Sequence, residues 1–310
     1  MISILLTSFN GEKFIEMQID SLFKQSVQDF KLFINDDNST DSTFSIIQGY
    51  ALKFPDRVFI SQNEANSGSA KANFISMMSI HKNDYVMLCD QDDIWLPDKI
   101  EKCLGKIREL ELRHGRSTPL LVHSDLTVVG EGLEVISPSH MKRSKARFDR
   151  NKFNNLVIQN IVTGCTVMYN RALADLILDN KPEYMIMHDW WLALVASAFG
   201  KIGAVSEPTM LYRQHENNEF GANERSSGSH LFHKLFNFNE VTETLDSTYR
   251  QTGSFLSLYG EHLPMECAEL AEEYSSIPDK KKLDRMRTFS KYRIWKNGFI
   301  RKVAQILAVV

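Results

Sequence analysis

Three times in the first ninety-five residues, an apolar run gives way to a polar or acidic cluster. Ile2–Ser8 leads into Phe9-Asn10-Gly11, residues 30–35 into Asp36-Asp37-Asn38-Ser39-Thr40-Asp41, and Tyr85–Cys89 into Asp90-Gln91-Asp92-Asp93-Ile94-Trp95. Short apolar runs bounded by turn residues read as buried strands. Between them, residues 12–25 carry Phe14, Ile15, Ile19, Leu22 and Phe23 at helical spacing, and residues 42–54 follow Asp41 as a candidate helix cap. A third strand over 58–61 and a third helix over 66–80 complete the alternation. Strand–helix repetition of this kind predicts an α/β fold with a mostly parallel sheet flanked by helices. Ligands of such sheets bind at the carboxyl ends of the strands, so all three clusters converge on one crevice.

The rest of the chain is less regular. Residues 120–123 and 126–129 read as short strands, 137–150 as a mobile basic loop, 161–169 as a strand, and 171–179 as a helix. An apolar helix over 188–199 and a strand over 209–214 follow. A polar stretch occupies 216–229, and the pattern is helical from 230 onward, with no internal repeat. The 310 residues, 43% hydrophobic and 24% charged, suit one large globular domain or a domain with an appendage. The four cysteines are too widely spaced for a metal or redox pair. Cys89 and Cys165 lie in apolar runs, as expected for buried thiols in a reducing cytosol. No basic leader precedes the first strand and no 18-residue uncharged apolar stretch occurs, so neither a signal peptide nor a transmembrane helix is expected.

Carboxylates packed at a strand end repel each other unless a cation neutralises them. Mg²⁺ and Mn²⁺ take oxygen ligands and keep positions open for phosphates, so a strand ending in Asp-x-Asp suits a metal–diphosphate platform. The alternative is a solvated acidic turn before the helix that Pro97 and Asp98 announce. Convergence of the three clusters favours the platform. A Gly-x-Gly-x-x-Gly loop is absent, which argues against a dinucleotide-binding oxidoreductase. The single glycine after the first strand argues against a nucleotidyltransferase.

Net charge is −3, yet residues 280–302 hold ten Lys or Arg against the single acid Asp284, leaving about −12 on the remainder. Tyr292, Trp295, Phe299, Val303, Ile306 and Val310 recur there at three- and four-residue spacing. This pattern predicts an amphipathic helix lying on an anionic membrane, interrupted at Gly298. The alternative is a basic helix packed on the body or on a partner subunit.

Taken in order, Ser3–Gly11, Asp36–Asp41, Asn66–Asn73 (Asn-Ser-Gly-Ser-Ala-Lys-Ala-Asn), Asp90–Trp95 with Pro97-Asp98-Lys99, Thr163-Gly164-Cys165, His188-Asp189-Trp190-Trp191, and Tyr212-Arg213-Gln214-His215 with Asn218 resemble the motifs of family 2 glycosyltransferases. These are inverting GT-A enzymes that use nucleotide-sugar donors. The metal motif and the Tyr-Arg-Gln-His ending are most similar to bacterial rhamnosyltransferases of surface-polysaccharide assembly. The Gln-x-x-Arg-Trp motif of processive synthases is missing, which implies single sugar addition.

The resemblance implies roles. Asp92 would ligate Mn²⁺ or Mg²⁺, with Asp90 beside it, and Asp93 would orient the loop or cap the next helix. His215 would approach the metal or diphosphate, or sit on the surface. Thr7 and Phe9 would flank a pyrimidine whose N3–H is accepted by Asp37, with Asn10 in the same donor pocket. Lys71 would reach the diphosphate or remain a solvated helix lysine. Asp189 would be the general base, or a helix N-terminal acid favoured by the dipole. Trp190 or Trp191 would stack on the acceptor sugar, or both would be core.

The implied donor is dTDP-rhamnose, with UDP-hexoses next. The implied acceptor is a polyprenyl-linked oligosaccharide met at the inner face of the cell membrane. A catalytic domain over 1–225 and a C-terminal helical region over 226–310 are expected. No nucleic-acid partner is expected, and a homodimer is left open. A non-catalytic carbohydrate-binding protein is the alternative that would need neither Asp92 nor Asp189.

Overall fold

The structure, a computed structural model, describes residues 1–80, 83–178, 182–215 and 238–309. Asn218, the 216–229 stretch, the expected boundary at 225/226 and Val310 lie outside the described residues. The chain forms two compact units whose segments interleave. One comprises Met1–Arg143, Val162–Asp179 and Gly200–His215; the other comprises Ser144–Ile161, Asn180–Phe199 and Glu216–Val310.

The first unit holds a nine-stranded sheet. Its strands are β1 (Ile2–Ser8), β2 (Phe30–Asp36), β3 (Val58–Gln62), β4 (Tyr85–Cys89), β5 (Ile94–Trp95), β6 (Leu120–Val129), β7 (Val135–Ser137), β8 (Val167–Asn170) and β9 (Lys201–Arg213). The order is β3-β2-β1-β4-β8-β6-β9-β5, with β7 paired to β6. Every residue of β1 and β4 is buried, as a strand covered on both faces requires, which is why these segments read as unbroken apolar runs. The first four strands along the order are parallel. Beyond them β8 runs antiparallel to both β4 and β6, β9 parallel to β6, and β5 antiparallel to β9. The sheet is therefore parallel on the side carrying the three polar clusters and mixed on the other. Register pairs Ser8 with Asp36, Asp36 with Gln62, and Leu6 with Cys89, so the clusters leave the sheet at one end.

Helices α1 (Ile15–Phe23), α2 (Thr43–Lys53), α3 (Ala70–Ile80) and α4 (Lys99–His114) connect or flank these strands. Asp41 serves the start of α2, its carboxylate accepting the Thr43 N–H at 3.0 Å. α4 buries Ile100, Cys103, Leu104, Ile107 and Leu110 at three- and four-residue spacing and ends at Gly115, whose φ of 89° suits glycine.

Several boundaries differ from expectation for identifiable reasons. The break expected at Ser124-Asp125 is absent, and β6 runs on through both. Ser124 Oγ meets Thr209 Oγ1 at 2.7 Å, while Asp125 accepts Ser139 Oγ–H and the Met141 N–H, so both polar side chains are satisfied while buried. The same bonds order the stretch expected as a mobile loop, which begins at the last residue of β7 and contains the short helix α5 (His140–Arg143). The strand expected over 161–169 is confined to β8, because Gly164–Thr166 form a 3₁₀ turn. Helix α7 (Arg171–Leu178) follows it.

The second unit is helical: α6 (Phe153–Leu156), α8 (His188–Phe199), α9 (Phe238–Tyr259), α10 (Met265–Ser275), α11 (Lys282–Tyr292) and α12 (Phe299–Val309). Phe153, Trp191, Phe255 and Tyr259 form one aromatic cluster, and Tyr249, Tyr274 and Phe289 a second. The single amphipathic tail helix is not observed. α11 stops at Arg293 (φ 55°), Gly298 (φ 89°) precedes α12, and Ile294 between them is fully buried. The apolar residues of the tail are thus divided between core and surface. Among the described residues, no helix is long and apolar enough to cross a membrane.

His123, on β6, is 1% exposed, and burial depresses its pKa to about 4, with Asp125 opposing. Between its unfolded value of about 6.5 and that depressed value, the unfolded chain binds the proton that the folded chain refuses, so this histidine favours unfolding as pH falls. Over that window the loss amounts to about 3 kcal/mol. Thermal melts of wild type and His123→Gln from pH 7 to 4 check this: the wild-type Tm should fall more steeply. Parallel curves would refute it.

Candidate active site

β4 delivers Asp90, Gln91, Asp92 and Asp93 to the carboxyl end of the sheet, and each carboxylate has its own environment. Asp90 and Asp92 are half-buried, whereas Asp93 is fully buried. Asp93 Oδ1 accepts the Arg213 N–H at 3.2 Å. Burial, then the charges of Asp92 and Asp90, push its pKa well above the usual carboxylate range. It neither caps the next helix nor lies in the solvent. The Cys165 thiol lies with Asp90 and Asp93, all within 4.8 Å, and its pKa is raised by burial and by those same carboxylates.

Beneath this cluster sits Lys99, fully buried, donating to the Cys165 carbonyl at 2.6 Å and lying 4.4 Å from the centre of the Trp95 ring. Arg213, at the end of β9, closes over the loop. Its side chain donates to the carbonyls of Asp92 (2.8 Å) and Glu131 (2.5 Å) and stacks on Phe14. Two residues on, His215 Nε2 meets Asp92 Oδ2 at 2.8 Å while its ring stacks on Phe14 at 4.9 Å.

The end of β1 is tied to this loop by Gln91, a residue that spacing did not single out. Its side chain accepts the Phe9 N–H and donates to the Phe9 carbonyl, both at 2.9 Å. A Cβ on Gly11 would lie 2.1 Å from Gln91 Oε1, so a larger residue there would displace the Gln91 side chain from the Phe9 backbone. Thr7 is buried, and Phe9 is 44% exposed. Asn10 takes a left-handed φ of 46°, with its Oδ1 accepting the Thr40 N–H at 2.8 Å.

At the end of β2 the two aspartates separate in role. Asp36 is fully buried and accepts from Ser8 Oγ, the N–H and Oγ of Ser39, and Gln62 Nε2, bracing the strand ends. Asp37 accepts from Asn63 Nδ2 (2.6 Å), the Ser67 N–H (2.8 Å) and Ser67 Oγ (2.8 Å). A carboxylate has about four acceptor positions, so one direction is left for a further donor. Lys71 stands half-buried in the first turn of α3.

In the second unit, Asp189 occupies the first turn of α8, and its Oδ1 accepts the Trp190 N–H at 2.6 Å. His188 beside it is buried. The two tryptophans part ways. Trp190 is half-buried, its indole N–H donating to the Leu156 carbonyl at 2.6 Å. Trp191 is 1% exposed and packs edge-on to Phe255, so the core alternative holds for it and no ring face is left for an acceptor sugar.

Sequence-predicted residues Thr7, Phe9, Asn10, Asp37, Asp90, Asp92 and His215 thus gather at the carboxyl ends of β1, β2, β4 and β9. Gln91, Asp93, Lys99 and Arg213 join them. Two sets of possible ligands stand at this strand end: Asp90, Asp93 and Cys165, whose ligand atoms lie within 4.8 Å of one another, and the Asp92–His215 pair at 2.8 Å; the carboxylate oxygens among them suit a hard divalent cation. The Cys165 sulfur is a soft donor, so a hard cation at this strand end favours the carboxylate oxygens over it.

Comparison with known proteins agrees with this geometry. Residues 3–176 match the family described as Glycosyl transferase family 2. The dTDP-rhamnosyl transferase RfbG of Shigella flexneri is 29% identical over 228 residues, covering 70% of this chain and 74% of the relative. The putative teichuronic acid biosynthesis glycosyltransferase TuaG of Bacillus subtilis is 29% identical over 206 residues, covering 66% and 75%. Among solved structures, S. aureus TarS 1-349 in complex with UDP-GlcNAc superposes with a TM-score of 0.56 at 16% identity, covering 99% of this chain and 89% of that one. The mannosyltransferase PcManGT from Pyrobaculum calidifontis, in complex with GDP-Man and Mn²⁺, gives 0.54 at 14%, covering 99% and 85%. The fold is that of the GT-A glycosyltransferases, and the chain belongs to glycosyl transferase family 2, enzymes that use nucleotide-sugar donors.

Proposed function

We propose that this enzyme transfers L-rhamnose from dTDP-rhamnose, with inversion, to a hydroxyl of a growing lipid-linked polysaccharide. The observation that carries the donor is the 29% identity over 228 residues to a dTDP-rhamnosyl transferase. A UDP-hexose donor is the second reading, favoured by the UDP-GlcNAc bound in the TarS structure of the same fold.

Each residue takes a role in this scheme. Asp37 uses its remaining acceptor direction for the thymine N3–H, a charge-assisted bond that cytosine, lacking that proton, does not offer. Thr7 and Phe9 flank the base, and Asn10 holds the turn beside them. Lys71 supplies positive charge to the diphosphate as a point charge. Asp90, Asp92 and His215 hold Mn²⁺ or Mg²⁺, which when bound stabilises the charge on the leaving diphosphate. Asp93, Lys99 and Arg213 keep that loop in place. Asp189 takes the proton of the acceptor hydroxyl as its oxygen bonds to the anomeric carbon and the nucleotide departs from the opposite face. Trp190, rather than Trp191, offers a ring to the acceptor sugar. The enzyme works at the inner face of the cell membrane, held there by its basic C-terminal segment.

A thermal-shift and hydrolysis panel of dTDP-rhamnose, UDP-glucose, UDP-galactose and GDP-mannose with Mn²⁺ tests the donor. The largest shift should come from dTDP-rhamnose, and a larger response to any other sugar nucleotide overturns that choice. Asp92→Asn should abolish transfer and also weaken Mn²⁺ binding measured by electron paramagnetic resonance on the protein alone; unchanged Mn²⁺ affinity would remove Asp92 from the site. Asp37→Asn retains an oxygen for Ser67 but loses the charge, and calorimetry should show dTDP affinity falling by about 1.5–3 kcal/mol. Unaltered affinity would exclude Asp37 from base recognition. Asp189→Asn keeps an acceptor for the Trp190 N–H, so donor binding should persist while transfer drops by roughly 10²–10⁴-fold. Loss of donor binding instead would place Asp189 on the nucleotide side.

A further inference from the structure

Two stretches of the second unit, more than a hundred residues apart in sequence, are joined edge to edge. The Arg150 guanidinium donates to the Trp295 carbonyl. Asn154 Nδ2 donates to the Tyr292 carbonyl at 3.1 Å, and the Asn297 N–H to Gln159 Oε1 at 2.7 Å. Asn297 Nδ2 reaches the Lys145 carbonyl, and Arg301 the Ser144 carbonyl at 3.3 Å. Lys145, Arg147 and Lys152 are exposed on the first stretch, and Lys291, Arg293, Arg301 and Lys302 on the second. Segments 144–152 and 280–302 together carry fourteen Lys or Arg against two acids, whereas 238–279 carries nine acids against one Arg. The unit therefore sorts its charge by segment.

Within this basic region, α12 is mounted with an apolar face outward. Ala304, Gln305 and Val309 face the protein, and Gln305 is fixed by accepting the Lys296 N–H and donating to the Ile294 carbonyl. Phe299 (83%), Ile300 (44%), Val303 (38%) and Leu307 (55%) remain exposed. An apolar helix face bordered by cations meets the requirements of a lipid–water interface, where acyl chains take the apolar side chains and anionic headgroups take the charges. A soluble polyanion would leave the apolar face unused.

We propose that residues 144–152 and α12 form one footprint on an anionic lipid surface, with Phe299, Ile300, Val303 and Leu307 inserted among the acyl chains. This rests on the membrane reading above and adds a second segment that the sequence pattern of the tail does not contain.

Sedimentation of the full chain with phosphatidylcholine vesicles, plain or containing about a third phosphatidylglycerol, tests it. Wild type should bind the anionic vesicles and not the neutral ones. Combined Lys145→Gln, Arg147→Gln and Lys152→Gln should weaken binding by about tenfold or more, since each surface cation contributes severalfold. Asp149→Asn should strengthen it, a gain that misfolding does not produce. Phe299→Ser with Leu307→Ser should make the remaining binding labile to salt, because screening acts on charges and not on apolar burial. Donor hydrolysis should be unchanged in all of these variants. If wild type binds and the triple variant binds equally well, the footprint is confined to the tail and this inference falls while the membrane reading stands. If wild type does not bind anionic vesicles at low salt, both fall.

Discussion

Three carboxylates within four residues repel one another, and that repulsion at the end of β4 is the constraint around which the first unit is organised. The protein does not disperse the charge. It buries Asp93, whose pKa is driven well above the usual carboxylate range by burial and by its neighbours' charges, and leaves Asp90 and Asp92 as the half-buried pair. A fully buried Lys99 lies nearby, its own pKa lowered by burial against the opposing influence of Cys103, Cys165 and Asp93. Burying single charges in this way is costly, and it persists where the surrounding bonds over-determine the geometry.

Those bonds come from every side of the crevice. Gln91 clamps the Phe9 backbone from β1, Arg213 reaches in from the end of β9, and His215 takes the outer oxygen of Asp92. Asp36 joins the last residues of β1 and β3 to the turn after β2. The donor side is thus a set of strand ends held by side chain–backbone bonds on a rigid sheet, the arrangement that a preorganised site needs to hold charge where a leaving group will develop it.

The second unit follows a different logic. Its interior is aromatic, and its surface separates acids on α9 and α10 from bases on the 144–152 and tail segments. Trp191 shows how packing takes over a residue that composition makes ambiguous: a tryptophan beside an acid suits both a sugar platform and a core, and its contact with Phe255 decides for the core. The tail shows the same in reverse. Its three- and four-residue spacing suggests one helix, but the left-handed Arg293 and Gly298 break it, Ile294 turns inward, and the outward stripe falls to Phe299, Ile300, Val303 and Leu307.

The sequence by itself determined the parallel strand–helix half, the convergence of its acidic ends, and the residues gathered there. The strand–helix half and the convergence of its clusters follow from local periodicity and from the rule that parallel strands end together at the ligand crevice, whereas His215 is implied by the family resemblance. Tertiary structure alone decided which carboxyl is buried, that β6 runs through Ser124 and Asp125, that Gln91 and Arg213 hold the loop, and that two distant basic segments are bonded together. The partners that decide these features lie between 14 and 157 residues away in the chain. Pattern reading sees periodicity within a window of neighbours; it cannot see which distant donor will satisfy a buried acceptor.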